Sequence, residues 1–437
     1  MADRLYYADS FLKSFPARVT DIRLLSRSDG EALWQVSLDQ SAFYPTSGGQ
    51  PNDTGRLIAT SRSGATLEVP VVNVEEDESG QVWHTTTKPL AAATEVRGEI
   101  DWPRRLDHMQ QHSAQHLLSA VCARELEART VSFHLGAVSS TIDIRLGLKD
   151  SETTGSDSLF PPELELEGVE RVVNELVAED RPLCARSVER AEAEEMLAAG
   201  RLRKLPERSG PMRLIDIADY DLNACGGTHV RSTGQIGAVL LRSVDKVKQG
   251  LRIEFVAGLR AAAVARTDYD LLTRASIALS TAREHVPEAI ARLLAENKAA
   301  AKQLQRLRQE LAQYHAVRLV VEDTIEDHLR VVRRKISDYD SDYVRTLALS
   351  VVAAVPQTLA LLASTEAEPP TVFMARSGDL ELSCGALLKQ ALAGLGLRGG
   401  GSSSLAQGQV PATELDTFLT SLEATVRRSL KSTSTIS

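Results

Sequence analysis

Two pairs of potential metal ligands are the strongest chemical signal in the sequence. His112 and His116 are four residues apart, and in a helix both imidazoles would lie on one face and reach one ion. Cys225 and His229 flank Gly-Gly-Thr, where the glycines let the backbone fold tightly around a ligand. Imidazole and thiolate are preferred zinc ligands. The four residues therefore predict a Zn²⁺ site, with a purely structural zinc site as the alternative.

The spacing excludes one class of zinc enzyme. A helical zinc protease of the His-Glu-x-x-His type needs glutamate at position 113, where this chain has Ser113. No other side chain identifies itself as a general base. His108 lies one turn before His112 and is interpreted as either a group that supports the ligands or a packing residue.

A glycine-bearing loop is the second candidate. Residues 43–51 read Phe-Tyr-Pro-Thr-Ser-Gly-Gly-Gln-Pro. Gly48 and Gly49 would let backbone N–H groups approach a substrate closely, and Thr46 and Gln50 can hydrogen-bond polar groups. The alternative is an ordinary β-turn.

Hydrophobic periodicity predicts the elements that position these residues. It indicates a helix over 104–128 that carries the histidine pair. The rest of the first 260 residues reads as strands over 1–100, 132–146 and 235–256, a polar loop over 150–158, two acidic helices within 163–197 and a connector over 216–225.

The remainder of the chain predicts a helical stalk and a small α/β domain. Apolar residues spaced by three and four between Ile290 and Tyr314 indicate a coiled-coil-like helix, and Pro287 suits an early helical position. Its partner is either the preceding helix near 259–283 or a second chain. Residues 359–362 and 371–374 read as buried strands, 384–397 as a helix, 398–408 as a flexible loop, and the C-terminus as a disordered Ser/Thr tail.

Composition narrows the class of protein. The 437-residue chain has a net charge of −9, which disfavours indiscriminate nucleic-acid binding, but residues 201–260 carry a net charge of +5. That stretch indicates either a basic face or scattered solvated charge. No apolar run is long enough to span a membrane, and the first residues lack the pattern of a signal peptide. Four widely spaced cysteines favour reduced thiols in the cytoplasm.

Together the motifs resemble a known family. His112-Ser-Ala-Gln-His-Leu-Leu, Cys225-Gly-Gly-Thr-His and the 43–50 loop, in this order, resemble the editing domain of alanyl-tRNA synthetases. The match is closer to their freestanding relatives, the AlaX alanyl-tRNA editing proteins. Ser132-Phe-His-Leu-Gly and Arg252-Ile-Glu-Phe-Val-Ala-Gly strengthen it, and the glycine loop at 399–408 resembles that of the C-terminal DHHA1 domain.

The resemblance implies an α+β architecture in four parts. These are a small β-barrel over 1–100, a zinc-containing editing core over 101–258, a helical stalk over 259–318 and a DHHA1-like α/β domain over 319–437. Because only about 110 residues precede His112, the chain is expected to hydrolyse but not to charge tRNA.

The resemblance also implies a substrate and roles for individual residues. The substrate would be tRNA(Ala) mischarged with serine or glycine, and no membrane partner is expected. Zinc would be held by the four ligands, Thr46 would read the serine hydroxyl, and Gln50, Gly48 and Gly49 would line the pocket. Apart from the resemblance, position and charge make Arg252 a candidate contact for substrate phosphate, together with Arg242, Lys246 and Lys248.

Several alternatives remain open at this stage. With all four ligands bound, zinc would have no open position for water and would have to gain or lose a ligand or only position the tRNA end. The chain could also be a non-enzymatic RNA-binding scaffold with a structural zinc, or an editor of another aminoacyl-tRNA such as threonyl-tRNA. The stalk and last domain would bind tRNA or form a homodimer.

Overall fold

The structure, a computed structural model, describes residues 3–28, 31–146, 162–202, 205, 210–248, 250–323, 325–326 and 328–433. Internal packing divides the chain into two units, residues 1–274 and 275–437. None of the helices in the described residues is long and apolar enough to cross a membrane.

A closed six-stranded barrel occupies the first hundred residues. The short β1 (Asp3–Arg4), α1 (Leu5–Ala8) and β4 (Gln40–Ser41) accompany it. Its strands are β2 (Ser14–Ser28), β3 (Glu31–Leu38), β5 (Gly55–Thr60), β6 (Thr66–Glu76), β7 (Val82–Thr86) and β8 (Glu95–Ile100), closed in the order β2-β3-β7-β6-β5-β8. Alternate apolar side chains such as Val69 and Val71 fill the interior, as the period of two requires. The predicted barrel is confirmed.

The long helix α2 (Trp102–Glu125) is the centre of the rest of the first unit. Asp101 caps its N-terminus by accepting from the Arg104 N–H, and most of its residues between Arg105 and Cys122 are buried. It packs on α3 (Pro162–Ala178) and on the antiparallel sheet β14-β15-β10-β9, with strands β9 (Ala128–Leu135), β10 (Ser140–Leu146), β14 (Val239–Val247) and β15 (Gly250–Ala257).

A smaller sheet carries the second ligand pair. Strands β11 (Leu183–Val188), β12 (Met212–Ile217) and β13 (Asp221–Ala224) pair antiparallel and pack against α4 (Arg190–Ala198). A 3₁₀ turn at Thr233–Ile236 leads towards β14, and α5 (Gly258–Ala278) follows β15.

The second unit is a three-layer α/β arrangement. After a 3₁₀ turn (Arg283–His285), its elements are α6 (Val286–Glu322), β16 (Ile325–Glu326), β17 (Leu329–Ile336), α7 (Ser341–Ala354), β18 (Thr358–Ser364), β19 (Thr371–Arg376), α8 (Cys384–Ala393), β20 (Gly399–Gly401), β21 (Leu405–Gln409) and α9 (Leu415–Thr433). The sheet order is β16-β17-β18-β19-β21-β20, with β17 and β18 parallel. Helices α6 and α7 cover one face, and α8 and α9 cover the other.

The stalk prediction holds for the helix itself. α6 is continuous and has Pro287 in its first turn. Several apolar residues of the predicted stripe, including Leu293, Leu304, Leu307 and Tyr314, are exposed.

The two helices predicted within 163–197 are present as α3 and α4, but the strand β11 between them was not predicted. Two local predictions were wrong because tertiary pairing outweighed local pattern. The 216–225 connector is largely the antiparallel pair β12 and β13. The 398–408 loop contains the paired strands β20 and β21, which lie so close to α8 that a Cβ on Gly399 or Gly408 would overlap Leu392. The predicted 150–158 loop and most of the predicted Ser/Thr tail lie outside the described residues.

Candidate metal centre and its cavity

The structure brings the two ligand pairs together. His112 and His116 extend from α2, while Cys225 and His229 lie in the turn after β13, and the ligand atoms of all four lie within 4.8 Å of one another. The Cys225 Sγ is 3.5 Å from His112 Nε2 and 3.4 Å from His229 Nε2. Ligands around a tetrahedral zinc are separated by about 3.5 Å, given zinc bond lengths of about 2.0–2.3 Å. The donor set and its spacing therefore fit a zinc ion.

Burial favours the neutral forms of three of the four groups, namely His112, His229 and Cys225. It lowers the pKa of His112 and His229 well below the usual value for histidine, and it raises the pKa of the Cys225 thiol. Neutral imidazole is the form that binds a metal, and a bound dication is the charge that favours thiolate formation.

Gln50 fixes the tautomer of His112. The backbone N–H of Thr228 donates to Gln50 Oε1 at 3.0 Å, which identifies this atom as the oxygen. His112 Nδ1 lies 2.9 Å from the same oxygen and must donate, so Nε2 is left as the lone-pair atom that faces Cys225. Gln50 Nε2 donates to Thr228 Oγ1. Gln50 is fully buried, and its amide orients the metal ligand His112.

Ser113 supports the second histidine in the same way. Its Oγ lies 3.0 Å from His229 Nδ1 and accepts the N–H of Val230, so His229 Nε2 faces Cys225. The position that excluded a protease glutamate thus has a role of its own. His108 is buried on α2 outside the ligand cluster, and its Nδ1 has no hydrogen-bond partner within the described part of the chain.

Arg213 braces the turn that carries the second ligand pair. This nearly buried side chain donates to the carbonyl oxygens of Cys225 at 3.0 Å and Gly227 at 2.8 Å. Two carbonyls fixed by one planar guanidinium hold the turn in a single shape.

A buried ion pair fastens the 43–51 loop to α2. Arg105 binds both carboxylate oxygens of Asp53, and both side chains have no exposed surface. Arg105 also donates to the carbonyls of Ser10 and Ala42, while Asp53 accepts the N–H of Tyr44 at 2.6 Å. The loop and the helix with His112 are thereby held together.

A second buried network supports the start of the same loop. His84 Nδ1 donates to the Val36 carbonyl at 3.0 Å, and His84 Nε2 lies 2.8 Å from Ser41 Oγ, which accepts the Phe43 N–H. Burial lowers the pKa of His84 to about 4.

This histidine predicts acid sensitivity of the first unit. Between pH 6.5 and 4 the unfolded chain binds a proton at His84 that the folded chain does not, so stability should fall as pH is lowered through this window. The slope from this group is at most about 1.4 kcal/mol per pH unit. Urea unfolding followed by tryptophan fluorescence reports it, since all three tryptophans (Trp34, Trp83 and Trp102) lie in the first unit.

The variant His84→Asn should flatten this pH dependence. His134→Asn is the matched control, because it removes an exposed histidine instead of a buried one. Equal pH slopes for the wild type and His84→Asn would contradict the assignment.

A cavity of about 1120 Å³ opens beside the ligand cluster. His112, His116, Cys225 and Gly48 are part of its lining. α2 and β9 supply most of the remaining wall, including Gln115, Ser119, Thr130 and Phe133. Three of the four predicted metal ligands thus line a space that can hold a bound substrate.

The other predicted pocket residues are placed differently. Gly49, at a φ of +83°, lies against Phe133 so closely that a Cβ would be 2.6 Å from the ring. Thr46 is exposed, with its Oγ1 3.4 Å from Asn52 Oδ1, and is not part of the cavity lining. Arg252 is also outside that lining and pairs with Asp143 at 2.7 Å.

Much of the positive charge of 201–260 is neutralised by partners from elsewhere in the chain. Arg213 is nearly buried, and four other arginines form ion pairs: Arg231 with Asp9, Arg242 with Asp268, Arg252 with Asp143, and Arg260 with Asp107. These pairs reduce the local excess that favoured a basic face.

Comparison with known proteins gives consistent matches. The family described as the threonyl and alanyl tRNA synthetase second additional domain matches residues 212–254. The alanyl-tRNA editing protein AlaX-L of Pyrococcus horikoshii is 28% identical over 97% of this chain and 98% of its own length. The alanine–tRNA ligase of Pyrococcus abyssi is 31% identical over 93% of this chain, and that of Thermococcus kodakarensis is 34% identical over 70%.

Coverage differs between these relatives. The chain spans 42% of the length of the Pyrococcus abyssi ligase and 31% of the Thermococcus kodakarensis ligase. Among solved structures, the C-Ala domain of Aquifex aeolicus alanyl-tRNA synthetase matches 23% of the chain and 95% of that domain, at 17% identity and a TM-score of 0.20, and no conclusion is drawn from it.

Proposed function

We propose that the chain is a zinc-dependent deacylase of mischarged tRNA(Ala), because it is similar over nearly its whole length to the alanyl-tRNA editing protein AlaX-L and to part of an alanine–tRNA ligase. The observation that supports this most directly is the cluster of His112, His116, Cys225 and His229 beside a cavity. Ser-tRNA(Ala) is the proposed substrate and Gly-tRNA(Ala) the second.

The chain's own residues would orient the site. Gln50 and Ser113 hold the Nδ1 atoms of His112 and His229, so that both Nε2 atoms face Cys225. Zinc held by the four ligands would supply Lewis-acid chemistry towards the ester carbonyl only by gaining a fifth ligand or losing one of the four. The walls of α2 and β9 would bind the aminoacyl end and limit access of water.

Other roles stay predictions. We propose four further roles for individual residues. Thr46 would read the serine hydroxyl, Gln50 would be a catalytic group, Gly48 and Gly49 would line the pocket, and Arg252 would contact phosphate. We also propose that the protein lacks aminoacylation activity and is located in the cytoplasm. The second unit would bind tRNA, and the stalk or the last domain would form a homodimer.

Deacylation of Ser-tRNA(Ala) by the zinc-loaded protein tests the proposal, with correctly charged Ala-tRNA(Ala) as the comparison. We expect serine to be released at least about tenfold faster than alanine, since one hydrogen-bonding group can give a factor of that size. Removal of zinc with a chelator should abolish the reaction, and added zinc should restore it. Retention of both esters by the zinc-loaded protein would contradict the proposal and favour an RNA-binding module or an editor of another aminoacyl-tRNA.

A further inference from the structure

A polar wall lies in the cavity next to the ligand cluster. Gln115 and Ser119 extend from α2, and Thr130 extends from β9, and all three line the cavity that also exposes His116. Gln115 is three residues after His112, so the two lie on one face of the helix. Gln115 Nε2 donates to Ser119 Oγ at 2.9 Å, and Thr130 Oγ1 donates to the same oxygen at 2.9 Å.

This wall contains an unused acceptor. The Gln115 side chain is only 5% exposed, and its Oε1 is buried with no hydrogen-bond partner among the described residues. A buried acceptor without a partner destabilises the folded chain, because it has lost its hydrogen bond to water and gained none in return. Such groups are rare in folded proteins and call for an explanation. Gln115 is one of the residues that line the cavity, so a donor on a bound substrate is the candidate partner for its Oε1.

The chemistry of the wall favours a hydroxyl as that donor. Gln115, Ser119 and Thr130 are neutral, and Glu127, the carboxylate in the cavity lining, is exposed. An ammonium group at the buried Oε1 would therefore retain most of its desolvation cost. A hydroxyl needs a single good acceptor, which Oε1 supplies.

Discrimination between amino acids leads to the same group. Alanine is smaller than serine, so no pocket that accepts serine excludes alanine by size. Alanyl ester can be spared only by a site whose polar group is left unpaired when the hydroxyl is missing. We propose that Gln115 Oε1 accepts a hydrogen bond from the side-chain hydroxyl of the esterified serine and thereby sets the preference for Ser-tRNA(Ala). This role rests on the proposed deacylase function. It assigns recognition of the hydroxyl to Gln115 on α2 instead of Thr46, which is outside the cavity lining.

The variant Gln115→Met removes the acceptor and keeps a long, helix-compatible side chain. We expect deacylation of Ser-tRNA(Ala) to fall on the order of 10- to 100-fold, which corresponds to the loss of one buried hydrogen bond. Deacylation of Gly-tRNA(Ala) should stay within about threefold of the wild type, because glycine has no hydroxyl to lose. Zinc content, measured on the same samples, should be unchanged.

Two parallel variants make the test decisive. Thr46→Val separates the two candidate readers of the hydroxyl, because a selective loss of serine release in Thr46→Val would assign the hydroxyl to Thr46, whereas the proposal expects that loss in Gln115→Met. Ser119→Ala removes the partner that orients the Gln115 amide and should lower serine release alone, and it carries the test if Gln115→Met does not fold.

The contrary outcomes are distinct. An equal loss for the serine and glycine esters, or a loss with Thr46→Val instead of Gln115→Met, would overturn the role of Gln115. Fast serine release by both the wild type and Gln115→Met would also overturn it while leaving the deacylase function intact. No release of either ester by the wild type would reject the deacylase function itself.

Discussion

Replacing Gly227 with alanine should strongly weaken zinc binding and deacylation, whereas alanine at Gly226 should be tolerated. A Cβ at Gly227 would overlap the imidazole ring of His112 and lie 2.9 Å from Gln50 Oε1. A Cβ at Gly226 would meet nothing closer than Tyr7 Oη at 3.6 Å, an ordinary van der Waals contact. Neither glycine has a positive φ, so the difference between the two variants is steric.

The size of this effect follows from the groups that must move. Both His112 and the amide that orients it would be displaced, and loss of one orienting group alone typically weakens metal binding by about 10- to 100-fold. We therefore expect Gly227→Ala to reduce zinc affinity on the order of 100-fold or more, measured by competition with a chelator. Gly226→Ala, the matched control, should stay within about twofold of the wild type. Similar affinities for the two variants would show that the turn does not press against His112.

Much of the candidate metal centre could be predicted from the sequence because its determinants are local. His112 and His116 face the same way on any helix, and Cys225 and His229 are close on any tight turn. The meeting of the two pairs depended on the fold, and the structure brings them together.

The supporting residues could not be predicted, because each acts on a group far away in the chain. Gln50 and His112 are separated by 62 positions, and Ser113 and His229 by 116. The residues around Gln50 do not indicate whether its amide faces the cavity or the metal ligand His112. In the sequence Arg213 was one positive charge in a basic stretch, whereas in the structure its guanidinium donates to the carbonyl oxygens of Cys225 and Gly227.

The fold shows the same division between local and distant determinants. The β-rich character of the first hundred residues and the helix α2 were predicted from local pattern, whereas the closure of the strands into a barrel was predicted only from the family resemblance. β20 consists of three glycines and has no side-chain pattern at all, so its pairing with β21 depends on the backbone and on the proximity of Leu392. β11 was missed because its strand conformation depends on β12, which begins more than 20 residues later.

Asp53→Asn should destabilise the first unit by about 3–5 kcal/mol, since it leaves the Arg105 charge buried without its counter-ion. The pair has no exposed surface, and Arg105 is also tied to the carbonyls of Ser10 and Ala42, so the guanidinium has no route to solvent without disturbing the loop. Urea unfolding followed by tryptophan fluorescence measures the loss, because Trp102 lies three residues before Arg105 on α2.

Glu99→Gln is the matched control for this prediction. It makes the same carboxylate-to-amide change in the partly exposed pair of Glu99 with Arg56, where the expected cost is small because solvent screens the pair. The double variant Asp53→Asn with Arg105→Met should cost about 2 kcal/mol or more less than the sum of its single variants, because removal of the second charge relieves the first. Strict additivity would mean that the two side chains stabilise the loop independently. A non-additive result would instead indicate that the Asp53–Arg105 contact attaches the loop with Gln50 to the helix with His112. The stability of the fold and the orientation of the metal ligands would then depend on the same ion pair.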